Sequence, residues 1–311
     1  MAAPTALFKP DPLKAGDKIR IVTPASPLTR EKMDFAINLL ESEGYVVELG
    51  DHALDACFYL AGTDRDRASD LMAAFEDPSV KAVLCSRGGY GCARLLPYLD
   101  FDRMAASRKL FLGFSDITTL HIALNRRGLP TVHSPMPITL NTPREPWVIE
   151  SFKRMFRGDV ATAEGAPRAE TVVGGVAEAE VTGGCLCLIG DSIGTPEPFD
   201  ATGKIAVLED VDEMPHRVDA MLTHMLNAGV IQNAAGIVVG EMTRTDENTD
   251  DGIGGLPWKE IVRDRLGGLG IPMVWDFPFG HAAQMLSVPF GIRARLDADA
   301  GTLTFLESHC S

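Results

Sequence analysis

The first half of the sequence predicts an α/β fold in which helices cover a parallel β-sheet. Short apolar runs alternate with stretches whose apolar residues recur at helical spacing. Turn-forming segments separate them, such as Thr23-Pro24-Ala25-Ser26-Pro27 after the first run and Gly44 after the first helix. A strand–helix alternation of this kind is typical of parallel sheets.

Each element of this half can be assigned in order. The predicted strands are Lys18–Val22, Tyr45–Leu49, Val80–Cys85 and Lys109–Phe114. The predicted helices are one that carries Met33, Ile37 and Leu40 and ends at Gly44, then Thr63–Phe75, Cys92–Leu99 and Ile117–Asn125. Parallel sheets bind ligands beyond the carboxyl ends of their strands. We therefore expect Arg87-Gly88-Gly89 and Ser115 at the same edge of the sheet.

The second half is predicted to form a separate domain. Small and polar residues prevail between about Asp159 and Ala179, which is typical of a connection. The predicted division is a domain over 1–160, a linker over 161–180 and a second domain over 181–311. The second domain is predicted to contain strands Lys204–Leu208, Gly236–Gly240 and Pro272–Trp275, a helix after Pro215 that ends before Gly229, and a terminal hairpin of Gly291–Leu296 with Thr302–Leu306.

The composition and net charge of the chain limit the kinds of molecule that it is expected to bind. Apolar residues make up 45% of the chain and charged residues 23%, as in ordinary globular proteins. A net charge of −14 disfavours nucleic acid and anionic membrane surfaces, which bind through Lys and Arg. The segment Met1 to Pro12 does not resemble a secretory signal, and no apolar run approaches the roughly 20 residues of a membrane helix. We expect a cytoplasmic protein.

The cysteines do not predict a metal site. In a reducing compartment they remain thiols, at positions 57, 85, 92, 185, 187 and 310. Cys185 and Cys187 are separated by one residue and have no nearby histidine, whereas zinc ligands usually lie two to four residues apart. We expect these cysteines to be small buried apolar residues, and predict neither a metal nor a cofactor.

Ser115 lies between a predicted strand and a predicted helix, in Phe111-Leu112-Gly113-Phe114-Ser115-Asp116-Ile117. A serine on such a tight turn presents its hydroxyl at the helix N-terminus, as in a nucleophile elbow. The match to the G-x-S-x-G pattern is partial, because Asp116-Ile117 replaces x-Gly. Alternatively, Ser115 only caps the helix, which is a common role for serine.

The glycine-rich loop Ser86-Arg87-Gly88-Gly89-Tyr90-Gly91 directly follows a predicted strand. Such loops bring backbone N–H groups close to a negative group. The spacing does not fit a dinucleotide fingerprint, because Gly89-x-Gly91 continues to Arg94. The N–H of Gly89 could act as an oxyanion donor beside Ser115, or the loop could serve tight packing alone.

Two segments of the second half could complete a catalytic site. Glu209 and Asp210 directly follow an apolar strand, where one of them can point inward to orient a histidine. Asp212 and Glu213 fit a solvated acidic turn better. His281 lies in the loop Phe277-Pro278-Phe279-Gly280-His281, and a neutral imidazole there could accept a serine proton, although a loop histidine is more often structural.

Together these segments resemble the LD-carboxypeptidase family of serine peptidases, which includes muramoyl-tetrapeptide carboxypeptidases and microcin-immunity peptidases. The resemblance covers almost the whole chain. Its segments are Gly16 to Pro27, Tyr59 to Asp64, Arg87 to Gly91, Leu95 to Asp100, Gly113 to Thr118, Gly183-Gly184, Gly194-Thr195-Pro196, Leu208 to Val211 and Phe279-Gly280-His281. There are two departures: Phe114 stands where the family commonly has Tyr, and Cys185 where it often has Asn.

The resemblance implies a catalytic triad and an oxyanion hole. Ser115 would be the nucleophile, His281 the general base and Glu209 the residue that orients the base, with the backbone N–H groups of Gly89 and Asp116 as oxyanion donors. It also implies a flavodoxin-like N-terminal domain, a smaller β-rich C-terminal domain, a site at their interface and a homodimer.

The substrate implied by the resemblance is the murein tetrapeptide, a small peptide that would lose its terminal D-alanine during cell-wall recycling. A carboxypeptidase must hold a free carboxylate, and Arg87 or Arg217 could do so. Each of these arginines could instead form a surface or interdomain salt bridge.

Two other functions remain open from the sequence. An immunity-type relative would cleave a peptidyl-nucleotide amide and stack the base on an aromatic residue, for which Trp147 is a candidate unless it simply packs. A non-catalytic α/β module would use Ser115 as a helix cap and Gly88-Gly89 as a ligand cradle.

Overall fold

The computed structural model describes residues 7–249, 252 and 254–311, and the chain divides into two compact units. The first unit comprises Met1–Val160, Ser287–Gly291 and Ser308–Ser311. The second comprises Ala161–Leu286 and Ile292–Glu307. The first six residues of the N-terminal segment that we examined for a secretory signal lie outside the described residues.

The described residues form thirteen strands, nine α-helices and four 3₁₀ segments. The strands are β1 (Lys18–Val22), β2 (Val46–Leu49), β3 (Val80–Cys85), β4 (Leu110–Gly113), β5 (Thr131–His133), β6 (Glu170–Val173), β7 (Val176–Cys185), β8 (Ile205–Val211), β9 (Gly236–Thr243), β10 (Met273–Trp275), β11 (Val288–Phe290), β12 (Arg293–Asp297) and β13 (Thr302–Phe305). The helices are α1 (Asp34–Ser42), α2 (Asp64–Glu76), α3 (Phe101–Ala106), α4 (Thr118–Arg126), α5 (Pro137–Leu140), α6 (Pro146–Phe156), α7 (Leu186–Ser192), α8 (Pro215–Ala228) and α9 (Trp258–Leu266). The 3₁₀ segments are Arg30–Lys32, Cys92–Tyr98, Ser115–Ile117 and Gly267–Leu269.

The first unit contains a sheet in the order β11-β5-β4-β3-β1-β2. Strands β1 to β5 are parallel and follow the flavodoxin-like order 2-1-3-4-5, which confirms the predicted fold class. Only β11 is antiparallel, against β5. All residues of β3 except Lys81 are buried, because helices cover both faces of such a sheet. The order places the ends of β1, β3 and β4 side by side.

The second unit contains a sheet in the order β13-β12-β7-β8-β9-β10-β6. Its centre, β7 to β10, is parallel, with α7, α8 and α9 as the successive connections. The outer strands β12, β13 and β6 are antiparallel to their neighbours. Strands β12 and β13 form the predicted terminal hairpin. The β-rich second half is therefore confirmed, with helical crossovers at its centre.

Among the differences between the structure and the sequence prediction, three concern the type of an element or the division of the chain. The segment predicted as a helix over Cys92–Leu99 is a 3₁₀ segment, because Pro97 within it has no N–H to donate and its ring obstructs an α-helix. The segment 161–180, predicted as a linker, contains β6 and the first half of β7. Residues 287–291 and 308–311, placed by sequence in the second domain, belong to the first unit, where β11 completes the sheet edge.

Two further properties concern the whole described chain. None of its helices is both long and apolar enough to span a membrane. All six cysteines lie in described residues, and none of them forms a disulfide bond.

Candidate active site

Ser115 has a strained backbone at the carboxyl end of β4. Its φ is +65°, in the left-handed region that costs a residue with a side chain about 1–3 kcal/mol. The N-cap of the 3₁₀ segment Ser115–Ile117 is Phe114, and that of α4 is Ile117, so Ser115 occupies neither capping position. A strained serine between a strand and a helix has the conformation of a nucleophile elbow.

Gly88 lies directly against Ser115. A Cβ atom at position 88 would lie 2.8 Å from Ser115 Cβ, 2.9 Å from Ser115 Oγ and 3.1 Å from the backbone nitrogen of Asp116. Only glycine lets the loop after β3 pass so close to the hydroxyl. The structure therefore brings the predicted glycine loop and the predicted nucleophile together within the first unit.

The glycine loop is fixed by Ser26, which follows β1. The N–H of Ser26 donates to the carbonyl of Gly88 at 3.3 Å, and Ser26 Oγ accepts from the N–H of Tyr90 at 3.3 Å. A Cβ atom at Gly89, whose φ is +113°, would lie 2.3 Å from Ser26 Oγ. Ser26 is not among the residues predicted for the site, and its place in the turn after the first strand is the signal that could have pointed to it.

Arg87 stabilises the same loop through backbone carbonyls. Its guanidinium donates to the carbonyl of Gly88 at 3.2 Å and to that of Pro27 at 3.2 Å. These contacts hold the turns after β1 and β3 together. Arg87 thus stabilises the loop, a role that was not predicted for it.

Asp116 connects the serine turn to the end of the glycine loop. Its carboxylate is 2% exposed and accepts the N–H of Cys92 at 2.8 Å. Only the backbone of Asp116 was predicted to have a role. The buried carboxylate shows why aspartate follows the serine, since it keeps Cys92, and with it Gly91, at a fixed position relative to Ser115.

We expect Gly88→Ala to lower kcat/KM by about 100-fold, the typical cost of displacing catalytic groups by about 1 Å. The φ of Gly88 lies outside the glycine-favouring region, so the effect comes from crowding of Ser115 and not from backbone strain. The matched control is Gly268→Ala, where an added Cβ meets nothing within 4 Å. Steady-state kinetics and thermal melting of both variants test this. Wild-type kinetics in Gly88→Ala would argue against a role for this loop beside the predicted nucleophile Ser115.

Within the second unit, the buried carboxylate of Glu209 holds the partly buried imidazole of His281. Glu209 is fully buried in β8, and His281 Nδ1 lies 2.7 Å from Glu209 Oε2, which also accepts the backbone N–H of His281 at 3.2 Å. A carboxylate only accepts hydrogen bonds, so the shared proton resides on Nδ1. Nε2 is then the basic nitrogen of the neutral ring.

Two glycines make room for this pair. A Cβ atom at Gly280 would lie 2.4 Å from Glu209 Oε2, and one at Gly240 would lie 2.5 Å from the carbonyl oxygen of Phe279. Gly280 also has a φ of +97°. The histidine loop can therefore pack onto β8 and β9 only with glycine at both positions, which explains the string Phe279-Gly280-His281.

The surroundings of His281 raise its pKa above the usual 6.5. Burial lowers the pKa, but the negative charge and hydrogen bond of Glu209, together with the charges of Asp210 and Asp212, outweigh it. A carboxylate that holds the imidazole and stabilises its cation is the arrangement that supports a general base.

Three other residues considered in the sequence are Asp212, Arg217 and Trp147. Asp212 is exposed and pairs with Arg244 at 2.6 Å, which lowers the pKa of Asp212. Arg217 is 57% exposed, with Nε 3.9 Å from a carboxylate oxygen of Glu213. Trp147 is buried in the first turn of α6, as a packing residue is.

The family can be decided by comparison with known proteins. The model of the LD-carboxypeptidase N-terminal domain matches residues 19–134, and that of the LD-carboxypeptidase C-terminal domain matches residues 178–296. The chain belongs to the LD-carboxypeptidase family. A probable murein peptide carboxypeptidase of Bacillus subtilis is 36% identical to it, over 93% of this chain and 92% of the relative. The LD-carboxypeptidases are peptidases, and so the chain is a hydrolase of that class.

Solved structures show the same fold. The muramoyltetrapeptide carboxypeptidase from Oxalobacter formigenes matches with a TM-score of 0.77 and 28% identity, covering 92% of this chain and 97% of that one. The microcin C7 self-immunity protein MccF, in a complex with glutamyl sulfamoyl guanosine, matches with a TM-score of 0.85. At 22% identity over 98% of this chain and 100% of that one, this second likeness concerns the fold alone.

Proposed function

We propose that this LD-carboxypeptidase is a serine-type enzyme that releases the terminal D-alanine from murein tetrapeptides. The observation that carries the proposal is the contact between the partly buried His281 and the buried Glu209, with Nδ1 at 2.7 Å from the carboxylate. A carboxylate–imidazole pair serves as a general base when a serine supplies the nucleophile. Ser115 has the strained, positive-φ backbone of a serine on a nucleophile elbow. The murein substrate is suggested by the named relatives.

In the proposed mechanism, Ser115 Oγ attacks the carbonyl carbon of the scissile peptide bond. His281 Nε2 takes the hydroxyl proton as the new C–O bond forms. The mechanism requires this nitrogen to reach the Ser115 hydroxyl. Glu209 keeps the proton on Nδ1 in the meantime and stabilises the imidazolium that forms.

The negative oxygen of the tetrahedral intermediate would be stabilised by the N–H groups of Gly89 and Asp116. One such donor is typically worth about 2.7–4 kcal/mol. The intermediate collapses as His281 gives its proton to the leaving amine of D-alanine, which leaves an acyl-enzyme on Ser115. Water then attacks the ester, again with His281 as base, and no metal takes part in these steps.

Glu209→Gln should lower kcat/KM by about 10²–10⁴-fold, less than the loss of Ser115 or His281, because an amide still holds the ring but stabilises its cation poorly. In the wild type, kcat/KM should fall as pH drops below the raised pKa of His281, with a midpoint above 6.5. Removing the carboxylate charge leaves burial to dominate, so the midpoint should move to lower pH. The pH profile of kcat/KM measures both effects. A variant as inactive as Ser115→Ala would mean that the carboxylate has a further role.

The substrate's free carboxylate requires a cation, and Arg87 and Arg217 remain the candidates. Arg87 already donates to two backbone carbonyls, whereas Arg217 is exposed and its ion pair with Glu213 is long at 3.9 Å. Arg217 is therefore the better candidate of the two. Cytoplasmic location stays a prediction from the sequence, and a homodimer stays a prediction from the family resemblance.

One assay tests the proposed reaction. Purified protein is incubated with synthetic murein tri-, tetra- and pentapeptides and with the tetrapeptide amide, and residue loss is followed by mass spectrometry. We expect D-alanine release from the tetrapeptide, and much slower release from the amide, which lacks the carboxylate. Equal turnover of acid and amide would argue against a carboxypeptidase, and no turnover of any peptide would reject the substrate class.

The alternative substrate is a peptidyl-nucleotide amide, which the fold shared with MccF keeps in consideration. The burial of Trp147 counts against it as the residue that would stack a base. An acyl-sulfamoyl nucleoside assayed beside the tetrapeptide separates the two substrates. A higher kcat/KM for the nucleoside would replace the murein proposal.

A further inference from the structure

Two cysteines and an aspartate of the second unit converge at the junction of β7, α7 and β8. Cys185 Sγ lies 3.5 Å from Cys187 Sγ and 3.5 Å from Asp210 Oδ1. The three ligand atoms all lie within 4.8 Å of one another. The mechanism proposed above uses none of these side chains.

The backbone holds the three groups in place. Cys185 ends β7, and α7 begins at the next residue, so the chain turns and brings Cys187 back beside Cys185. The N–H of Cys187 donates to Asp210 Oδ2 at 2.7 Å, and the N–H of Val211 donates to Oδ1 at 2.7 Å. The carboxylate is thereby oriented with Oδ1 towards Cys185.

Burial and electrostatics show that this arrangement is costly in the protein alone. Cys185 and Asp210 are 2% and 1% exposed, while Cys187 is half-buried. Burying the Asp210 carboxylate next to Glu209, another carboxylate, is costly, and a cation bound between the two sulfurs and Asp210 would offset that cost.

Two of the three distances between the ligand atoms are close to those around a tetrahedral metal ion, and the third is within 4.8 Å. With Zn–S bonds of about 2.3 Å and a Zn–O bond of about 2.1 Å, tetrahedral angles place two sulfurs about 3.8 Å apart and a sulfur and an oxygen about 3.6 Å apart. The corresponding observed distances, both 3.5 Å, require shifts of only a few tenths of an ångström. Two thiolates and a carboxylate form a donor set that suits zinc and softer divalent ions.

We propose that Cys185, Cys187 and Asp210 form a three-ligand site for a thiophilic divalent cation such as Zn²⁺ or Cd²⁺, with a fourth position open to water beside the half-buried Cys187. Sequence spacing does not reveal it, because Asp210 lies 23 residues beyond Cys187. Pairing of β7 with β8 brings them together: Cys185 is the register partner of Glu209, the residue before Asp210.

The site borders the carboxylate of the proposed catalytic pair, and this part of the inference rests on the proposed function. Zn²⁺ would displace the two thiol protons as it binds, so the net charge of the site would not change. The effect on catalysis would instead come from the small shifts of Cys185 and Asp210, which neighbour Glu209 in β7 and β8 and would displace the carboxylate that holds His281. Zinc occupancy should therefore inhibit peptide hydrolysis reversibly, and a chelator should restore it. Cys187→Ser should make the enzyme resistant to inhibition at zinc concentrations that saturate the wild type.

Equilibrium dialysis of the reduced full-length protein against Zn²⁺ tests the site without any activity assay. We expect one Zn²⁺ per chain, with affinity at least about 10-fold weaker in Cys187→Ser, since even residues that only support a ligand cost 10–100-fold. Cys57→Ser, at an exposed cysteine of the first unit, is the matched control and should bind as the wild type does. Co²⁺ should give the sulfur-to-metal charge-transfer band in the wild type and a weaker one in Cys187→Ser.

Thermal melting in the absence of metal shows whether Cys187→Ser is folded, and Asp210→Asn provides a second variant in which both thiols remain. Equal zinc affinity in the wild type and in both folded variants would overturn the site, as would no binding by the wild type. Zinc binding without inhibition would overturn only its effect on catalysis. A metal-free enzyme that cleaves no peptide would instead reject the proposed function and leave the dialysis result standing.

Discussion

Ser115→Ala is expected to lower kcat/KM for the tetrapeptide by about 10⁴–10⁶-fold, the loss found when a serine nucleophile is removed from a triad. The variant keeps every backbone hydrogen bond of the turn, so the fold should be retained. The Cβ of alanine meets the same strained φ of +65° as serine. Steady-state kinetics with thermal melting measures both effects.

Ser115→Gly is the control that separates chemistry from structure. It also removes the hydroxyl, but glycine adopts positive φ readily, so the free energy of unfolding should rise by about 1 kcal/mol. We expect an equally inactive but more stable protein. Near wild-type turnover in folded Ser115→Ala would remove Ser115 from the role of nucleophile.

His281→Ala should reduce kcat/KM by a similar factor, because a nucleophile without its base gains little from the rest of the site. The double variant Ser115→Ala/His281→Ala should be no worse than either single variant, since the two residues act as one unit. The matched control is His216→Ala, at an exposed histidine in the same unit, which should retain wild-type kinetics.

The double variant also tests whether His281 is the general base. Losses that multiply would mean that Ser115 and His281 contribute independently, which a shared proton transfer forbids. A small loss in His281→Ala alone would direct attention to another base.

Much of the fold could be predicted because the strongest signals are local. The strands before Ser86 and Phe114 are apolar runs, and Thr63 begins α2 with a capping box in which its side chain and that of Asp66 accept each other's backbone N–H. The strand β11 could not be predicted by the same means. It has three residues and joins the first sheet from a distant part of the chain, so its pairing is decided by tertiary contacts.

For the candidate site, sequence identified which residues to examine but not how they are held. The turn around Ser115 and the histidine loop were visible as strings of residues. The carboxylate of Asp116 on Cys92 and the guanidinium of Arg87 on two carbonyls depend on loop conformations that no spacing specifies. The position of Asp210 could not be predicted from spacing either, because its partners Cys185 and Cys187 lie at the end of the neighbouring strand β7 and just beyond it.

The central claim is that the Ser115 hydroxyl is activated by His281. The most direct measurement is intact-protein mass spectrometry after treatment with a serine-directed phosphonate, followed by peptide mapping. We expect a single adduct on Ser115 in the wild type, much slower labelling in His281→Ala and none in Ser115→Ala. Adduct formation on another serine, or labelling of Ser115 at the same rate without His281, would contradict the account.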